Sequence, residues 1–221
     1  MRNPVFLISI DTEADNQWSL EGRRELSIRN IHCLWRLQSL CDRYAVKPTY
    51  LVTYEMATNP ESLSVLLELL NTGRCEIGTH LHPWSSPPYR EDDLIGSYPC
   101  QLPDGLLERQ MRELTEAIEN NLGVQPTSYR AGRYGIDGRN LRVLELLGYT
   151  VDSSIDPLLN EKRFGGPNFA GAPVEPYHPS LNNVCKPGTS SVLEIPLSSA
   201  TRPRLPKLLE SAYVSLATRQ R

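Results

Sequence analysis

The feature that most narrows the fold of this chain is a repeated alternation. Short β-rich runs are separated by stretches of helical periodicity, and polar residues collect where each run ends. The first run, Val5-Phe6-Leu7-Ile8-Ser9-Ile10, is nearly all apolar, as expected of a strand covered on both faces in a parallel sheet, and it delivers Asp11 at its carboxyl end. Residues 27–44 then place Ile28, Ile31, Leu34, Trp35, Leu37, Leu40 and Cys41 at the spacing of one amphipathic helix. Pro48 opens a second strand over 49–54, and Asn59-Pro60 opens a second helix that Gly73 stops. A third strand over 75–80 leads into a proline-rich loop, and a third helix over 106–122 ends at Gly123. A fourth strand (127–130), a fourth helix (140–147) and a fifth strand (149–152) complete the series. Strict alternation of this kind requires parallel strands joined by right-handed crossovers.

The rest of the chain reads differently. Nine of the 18 prolines fall in the last 71 residues, and residues 157–187 show turn signals but no periodicity. A late strand over 192–195 and a basic helix over 205–220 follow. One domain over 1–221, with its core in 5–200, is the expected organisation. With 23 basic against 26 acidic residues, the net charge of −3 offers no global field for a nucleic acid or an anionic membrane. The basic tail (Arg202, Arg204, Lys207, Arg219, Arg221) is read as a solvated helix face, with contact to a lipid-linked sugar as a minor alternative. Five cysteines without a CxxC pair argue against a disulfide framework or a thiolate zinc site. No apolar stretch is long enough for a signal-peptide core or a membrane span, so a cytoplasmic protein with reduced thiols is expected.

In parallel α/β folds, sites form at the carboxyl ends of strands. Here those ends carry Asp11-Thr12-Glu13-Ala14-Asp15, His80-Leu81-His82, Arg130 and Asp152. Two imidazoles one residue apart on an extended segment project from one face, about 6–7 Å apart, close enough to share a metal ion. A carboxylate from the first strand could complete a set that leaves a coordination position open for water. Each piece also has a plain structural reading: Asp-Thr-Glu as a helix cap, Asp152-Ser153-Ser154 as an Asx turn, Arg130 as an ordinary ion-pair partner. Their coincidence at successive strand ends carries the functional one.

In order and spacing, Ser-Ile-Asp11-Thr-Glu13-Ala-Asp15, Ile-Gly78-Thr-His80-Leu-His82-Pro-Trp84, Tyr-Arg130-Ala-Gly-Arg-Tyr134-Gly and Gly-Tyr-Thr-Val-Asp152-Ser-Ser resemble the motifs of the polysaccharide deacetylase family, the NodB-homology domain of carbohydrate esterases. The resemblance covers roughly residues 5–200. It implies a distorted (β/α)7 barrel, one divalent metal, zinc by preference, and hydrolytic removal of N- or O-acetyl groups from a sugar or polysaccharide precursor. By position, Asp11 matches the catalytic base and His80 and His82 the metal-binding histidines. The carboxylate ligand is left between Glu13, which is preferred, and Asp15, because Thr12 stands where the commoner pattern has a second aspartate. The histidines also depart from the pattern, standing two apart instead of four. Arg130 matches the arginine that orients the base, Tyr134 a groove-lining position, and Asp152 the acid that supports the arginine or the general acid.

The family's last motif, a histidine general acid after a late strand, has no counterpart in Leu193-Glu194-Ile195-Pro196-Leu197. The leaving group's proton would then come from Asp11, from His178 or from solvent. Two other readings follow: a hydrolase of linear or cyclic amides on the same metal site, and a degenerate glycan-binding homologue. Trp18 and Trp84 stand on loops after the first two motifs, where an indole can stack on a sugar or simply cover the barrel mouth. A seven-stranded barrel needs more chain than follows the fifth strand. The expectation is a barrel left open near its C-terminus, with the helix over 205–220 packed there.

Overall fold

A computed structural model of the chain describes residues 5–89 and 98–199. Its strands are β1 Ser9–Thr12, β2 Thr49–Val52, β3 Glu76–Leu81, β4 Ser128–Ala131, β5 Val151–Asp152, β6 Pro179–Ser180, β7 Asn183–Pro187 and β8 Leu193–Glu194. Its α-helices are α1 Leu20–Arg24, α2 Leu34–Arg43, α3 Tyr54–Thr58, α4 Pro60–Asn71, α5 Asp104–Leu122 and α6 Gly138–Leu146. Six strands form one sheet in the order β1-β2-β3-β4-β5-β8, parallel at every step. This is the parallel α/β architecture of the (β/α) barrel type, and all six strands deliver their carboxyl ends to one side. Among the described residues, β1 and β8 are the edges of the sheet. The helix expected over 205–220 and the basic tail lie outside the described residues.

The central strands are covered on both faces. Tyr50, Leu51 and Val52 of β2 and Ile77 and Leu81 of β3 are buried, with helices packed outside them. α4 begins as its sequence dictates, the Asn59 side chain accepting from the backbone N–H of Glu61 and Ser62 with Pro60 in the first turn. α5 buries Leu107, Met111, Leu114, Ile118 and Leu122 and ends at Gly123, whose φ of 69° is the left-handed cap that glycine permits. No helix among the described residues is long and apolar enough to cross a membrane.

Three sequence expectations change. The first strand was expected over 5–10, but β1 starts at Ser9, and Val5, Phe6 and Leu7 are 81%, 77% and 61% exposed. Among the described residues β1 has one neighbour, which begins at Thr49, so residues 5–7 meet no strand once Thr49 N–H has bonded Ile8 O. The single helix expected over 27–44 is a 3-10 turn, Arg29–Cys33, followed by α2. The change of period rotates the buried face: Trp35 and Leu40 face outward, and Gln38 is buried, accepting from the Tyr50 hydroxyl at 2.9 Å. Residues 157–187, read as loop, hold the small antiparallel pair β6–β7 and bury Phe169, Tyr177 and Val184.

Candidate metal centre

β1 and β3 bring the central residues together although they are not adjacent strands. His80 lies near the end of β3 and His82 just past it, on the same face, with ring centroids 4.6 Å apart and nearly perpendicular. Glu13 reaches across from the end of β1. Its Oε2 lies 2.8 Å from His82 Nε2 and 3.3 Å from His80 Nε2. Both histidines are buried, while the Glu13 side chain keeps 17% of its surface. The three donor atoms lie within 4.8 Å of one another, the one such group of three among the described residues.

The donor set fits a divalent ion on two independent grounds. Two imidazoles and one carboxylate form a catalytic zinc set with an open position, and donors about 2.0–2.2 Å from a tetrahedral ion stand roughly 3.3–3.5 Å apart, close to the spacings here. The ring of His80 is also prepared for it. Its Nδ1 lies 3.0 Å from the carbonyl of Arg130, which can only accept, so Nδ1 carries the hydrogen and Nε2 turns to Glu13.

Without an ion, protons must do the balancing. Burial works against the Glu13 carboxylate, but hydrogen bonds from His80 and His82 outweigh it and hold the carboxyl down at about 2. Burial, opposed by the bond to Glu13 and assisted by the charge of His80, lowers His82 to about 4. For His80, burial is overcome by Asp11 and Glu13, and its pKa rises. The charged carboxyl is thus shared by two imidazoles, and a cation that binds there competes with protons.

Beside this group stands an ion pair between buried Arg130 and half-buried Asp11. Arg130, 3% exposed at the end of β4, donates from one terminal nitrogen to Asp11 Oδ1 (2.6 Å), from the other to Ser9 Oγ (2.5 Å) and Ser153 Oγ (3.2 Å), and from Nε to Ser153 O (2.7 Å). Asp11 Oδ2 is left 3.9 Å from His80 Nε2. Arg133 and Tyr134, just past β4, both take positive φ (50° and 61°), a costly bend that turns the chain over the strand ends. Burial, then the charge of Asp11, raises the Tyr134 phenol, so it stays protonated as a donor.

Of the residues expected at the site, Asp11, Glu13, His80, His82 and Arg130 converge. Asp15 does not. Its oxygens accept from Ser27 Oγ and from the backbone N–H of Arg29 and Asn30, capping the 3-10 turn. Trp84 is 7% exposed, with the His82 ring 4.2 Å and the Arg23 guanidinium 3.9 Å from its centroid, so it covers the histidine and is not a free platform. Trp18 is 58% exposed, with its ring 5.8 Å from His82. Asp152 is fully buried and bonds to Ser154, not to Arg130 directly. His178 Nδ1 donates to Val192 O, next to the amino end of β8 and away from the site.

Three residues escaped the sequence reading. Glu194 is fully buried beside Asp152; a charged residue inside the apolar run Val-Leu-Glu-Ile was its signal. Glu55, past the end of β2, accepts from Ala14 N–H at 3.4 Å, and burial raises its pKa; its place after a strand end was the signal. Gly132 has no local signal. A Cβ there would lie 2.4 Å from Leu81 O and 2.6 Å from His82 Nδ1, so only glycine lets the histidine lie this close.

No family model and no curated protein matches the sequence. Among solved structures, the chain is similar to an assigned polysaccharide deacetylase from Mycobacterium smegmatis, at 17% identity and TM-score 0.60, over 96% of this chain and 71% of that one. It is similar to an assigned glycoside hydrolase/deacetylase from Parabacteroides distasonis, at 21% identity and TM-score 0.57, over 86% of this chain and 44% of that one. A 4-α-glucanotransferase from Thermococcus litoralis matches at 13% identity and TM-score 0.52, over 86% of this chain and 27% of that one. At these identities the likeness is one of fold, and the fold is that of the polysaccharide deacetylase domain.

Proposed function

We propose that this chain is a metal-dependent hydrolase that removes acetyl groups from an N- or O-acetylated sugar or polysaccharide precursor. The observation that carries the reading is the convergence of Glu13, His80 and His82 beside the Asp11–Arg130 pair, at the carboxyl ends of parallel strands. Glu13, His80 and His82 would hold the ion, zinc by donor chemistry, and the ion would supply Lewis-acid polarisation of a carbonyl and a water acidic enough to deprotonate near neutral pH.

The chain's own residues would do the rest. Asp11 is the base: Arg130 fixes Oδ1, and Oδ2 faces the centre, where it takes a proton. Tyr134 donates a hydrogen bond at the rim, where charge develops on the acetyl oxygen. Trp18 offers an exposed ring on which a sugar stacks. Asp11, once protonated, is placed to return the proton to the leaving amine or hydroxyl. The four histidines leave no better donor, since His32 is exposed and paired with Glu61 at 2.7 Å and His178 lies away from the site. One carboxyl serving as both base and acid stands in for a dedicated acid worth roughly 10²–10⁴-fold, so turnover should be slow.

The test is metal analysis after zinc loading, together with acetate release from N-acetylated oligosaccharides and O-acetylated xylan. About one ion per chain is expected, lost in His80→Ala and His82→Ala along with acetate release. A protein that stays metal-free in added zinc sinks the reading. The absence of a histidine from Leu193-Glu194-Ile195-Pro196-Leu197 also favours a second reading, a glycan binder without turnover, which predicts binding that His80→Ala leaves intact. Activity on linear or cyclic amides and none on acetylated sugars would change the bond and keep the site.

A further inference from the structure

We propose that Glu194 is a positioning residue: its carboxyl and that of Asp152 share one proton, and the pair clamps the Ser153–Ser154 turn from which Arg130, and through it Asp11, is held. Asp152 and Glu194 stand in register on the neighbouring strands β5 and β8, and neither side chain is exposed. Asp152 Oδ1 accepts from Ser154 Oγ at 2.5 Å, and Glu194 Oε1 accepts from Ile155 N–H at 3.1 Å. The other two oxygens, Asp152 Oδ2 and Glu194 Oε2, are buried and meet no donor among the described residues. Two ionised carboxylates buried side by side, each with an oxygen that meets no donor, would repel, and one proton held between them satisfies both. Burial, then the charge of Asp152, pushes Glu194 well above the usual carboxylate range, and burial raises Asp152. The charged and titratable groups facing the pair are Arg130 and Tyr129 from β4 and Tyr177 from the segment before β6; both phenols are raised by burial first and stay neutral.

The clamp leads to the site through direct hydrogen bonds. Ser153 presents its carbonyl to Arg130 Nε and its hydroxyl to both Arg130 and Ile195 O, and Ser154 Oγ accepts from Ala131 N–H on β4. Residues 152–155 are thereby tied to β4 on one side and to β8 on the other. With one proton, the pair carries a single negative charge near Arg130. With none, it would compete with Asp11 for the guanidinium. That Asp11 acts as base rests on the proposed function; the shared proton does not.

Wild type, Glu194→Gln, Glu194→Ala and Asp152→Asn decide it by urea unfolding between about pH 5 and pH 8. The unfolded carboxyls, with pKa near 4, release a proton that the folded pair keeps, so raising the pH disfavours folding. The unfolding constant of wild type should grow by up to about tenfold per pH unit more than that of Glu194→Gln, whose amide donates to Asp152 without a titrating proton. A protonated-carboxyl carbonyl band in the infrared spectrum at neutral pH should vanish in Glu194→Gln and in Asp152→Asn. In acetate release, Glu194→Ala should lower kcat roughly 10- to 100-fold with KM held, and Glu194→Gln should restore it. Equal pH slopes in wild type and Glu194→Gln, or a band that survives both conservative variants, overturn the shared proton. An unchanged kcat in Glu194→Ala overturns the positioning role. If wild type releases no acetate, the hydrolase reading fails, and the unfolding and infrared measurements still decide the pair.

Discussion

Arg130→Ala is the perturbation whose size the structure lets one work out. The guanidinium side chain is 4% exposed and makes four hydrogen bonds of 2.5–3.2 Å, one of them to Asp11. Removing one partner of a buried pair strands the other, at a cost of about 3–5 kcal/mol. Asp11 keeps 28% of its side-chain surface and can recover some hydration, which places the loss near 3 kcal/mol, against a total of about 5–15 for a typical domain. In thermal unfolding this is a drop of about 6–12 °C at 2–4 °C per kcal/mol. Urea unfolding followed by circular dichroism measures it directly, since the slope with denaturant should not change while the midpoint falls. The double variant Asp11→Ala/Arg130→Ala should be less destabilised than the sum of its singles, by at least about 1 kcal/mol, because both charges leave together. Arg130→Lys should fall between, keeping the charge but losing the fork that reaches Ser9 and Ser153. A loss under about 1 kcal/mol for Arg130→Ala, or strict additivity, would mean that water screens the pair and that Arg130 does not hold Asp11.

Other outcomes follow from single contacts. Gly132→Ala forces a Cβ against Leu81 O and His82 Nδ1; it should cost about 1–3 kcal/mol in unfolding and weaken zinc binding in a competition titration, whereas an unchanged zinc affinity would show that His82 is not held by this contact. Trp18→Ala should weaken binding of an acetylated oligosaccharide by about 0.5–1.5 kcal/mol in calorimetry without changing metal content; no change would remove Trp18 from the sugar site. In native thiol titration Cys33, which is exposed, should react first, and Cys100, whose thiol burial pushes up to about 11, should react slowly at pH near 8 and quickly once unfolded.

Much of the site was legible because its residues follow strand ends, and strand ends are local features. The Val-to-Ile run pointed to Asp11 and Glu13, and Ile-Gly-Thr-His-Leu-His identified the histidine pair. Periodicity also located α4 and α5 with their caps. It failed where a local rule met a tertiary limit. The run over 5–7 has every strand property except a neighbour among the described residues, and the helix over 27–44 changes period where Asp15 caps a tighter turn. Asp15 itself shows the difficulty: by composition it is as good a ligand as Glu13, and only its bonds to residues 27–30 remove it.

By itself, then, the sequence determined the parallel α/β order and the side of the sheet on which the polar residues collect, because both follow from short-range patterns of burial and turn chemistry. The tertiary structure decided which carboxylate meets the histidines, that Trp84 is covered while Trp18 is open, and that Glu194 lies against Asp152. Those outcomes depend on strand register and on side chains brought together from distant parts of the chain. Hydrogen-bond geometry and desolvation, which have no local sequence signature, choose among residues of the same type.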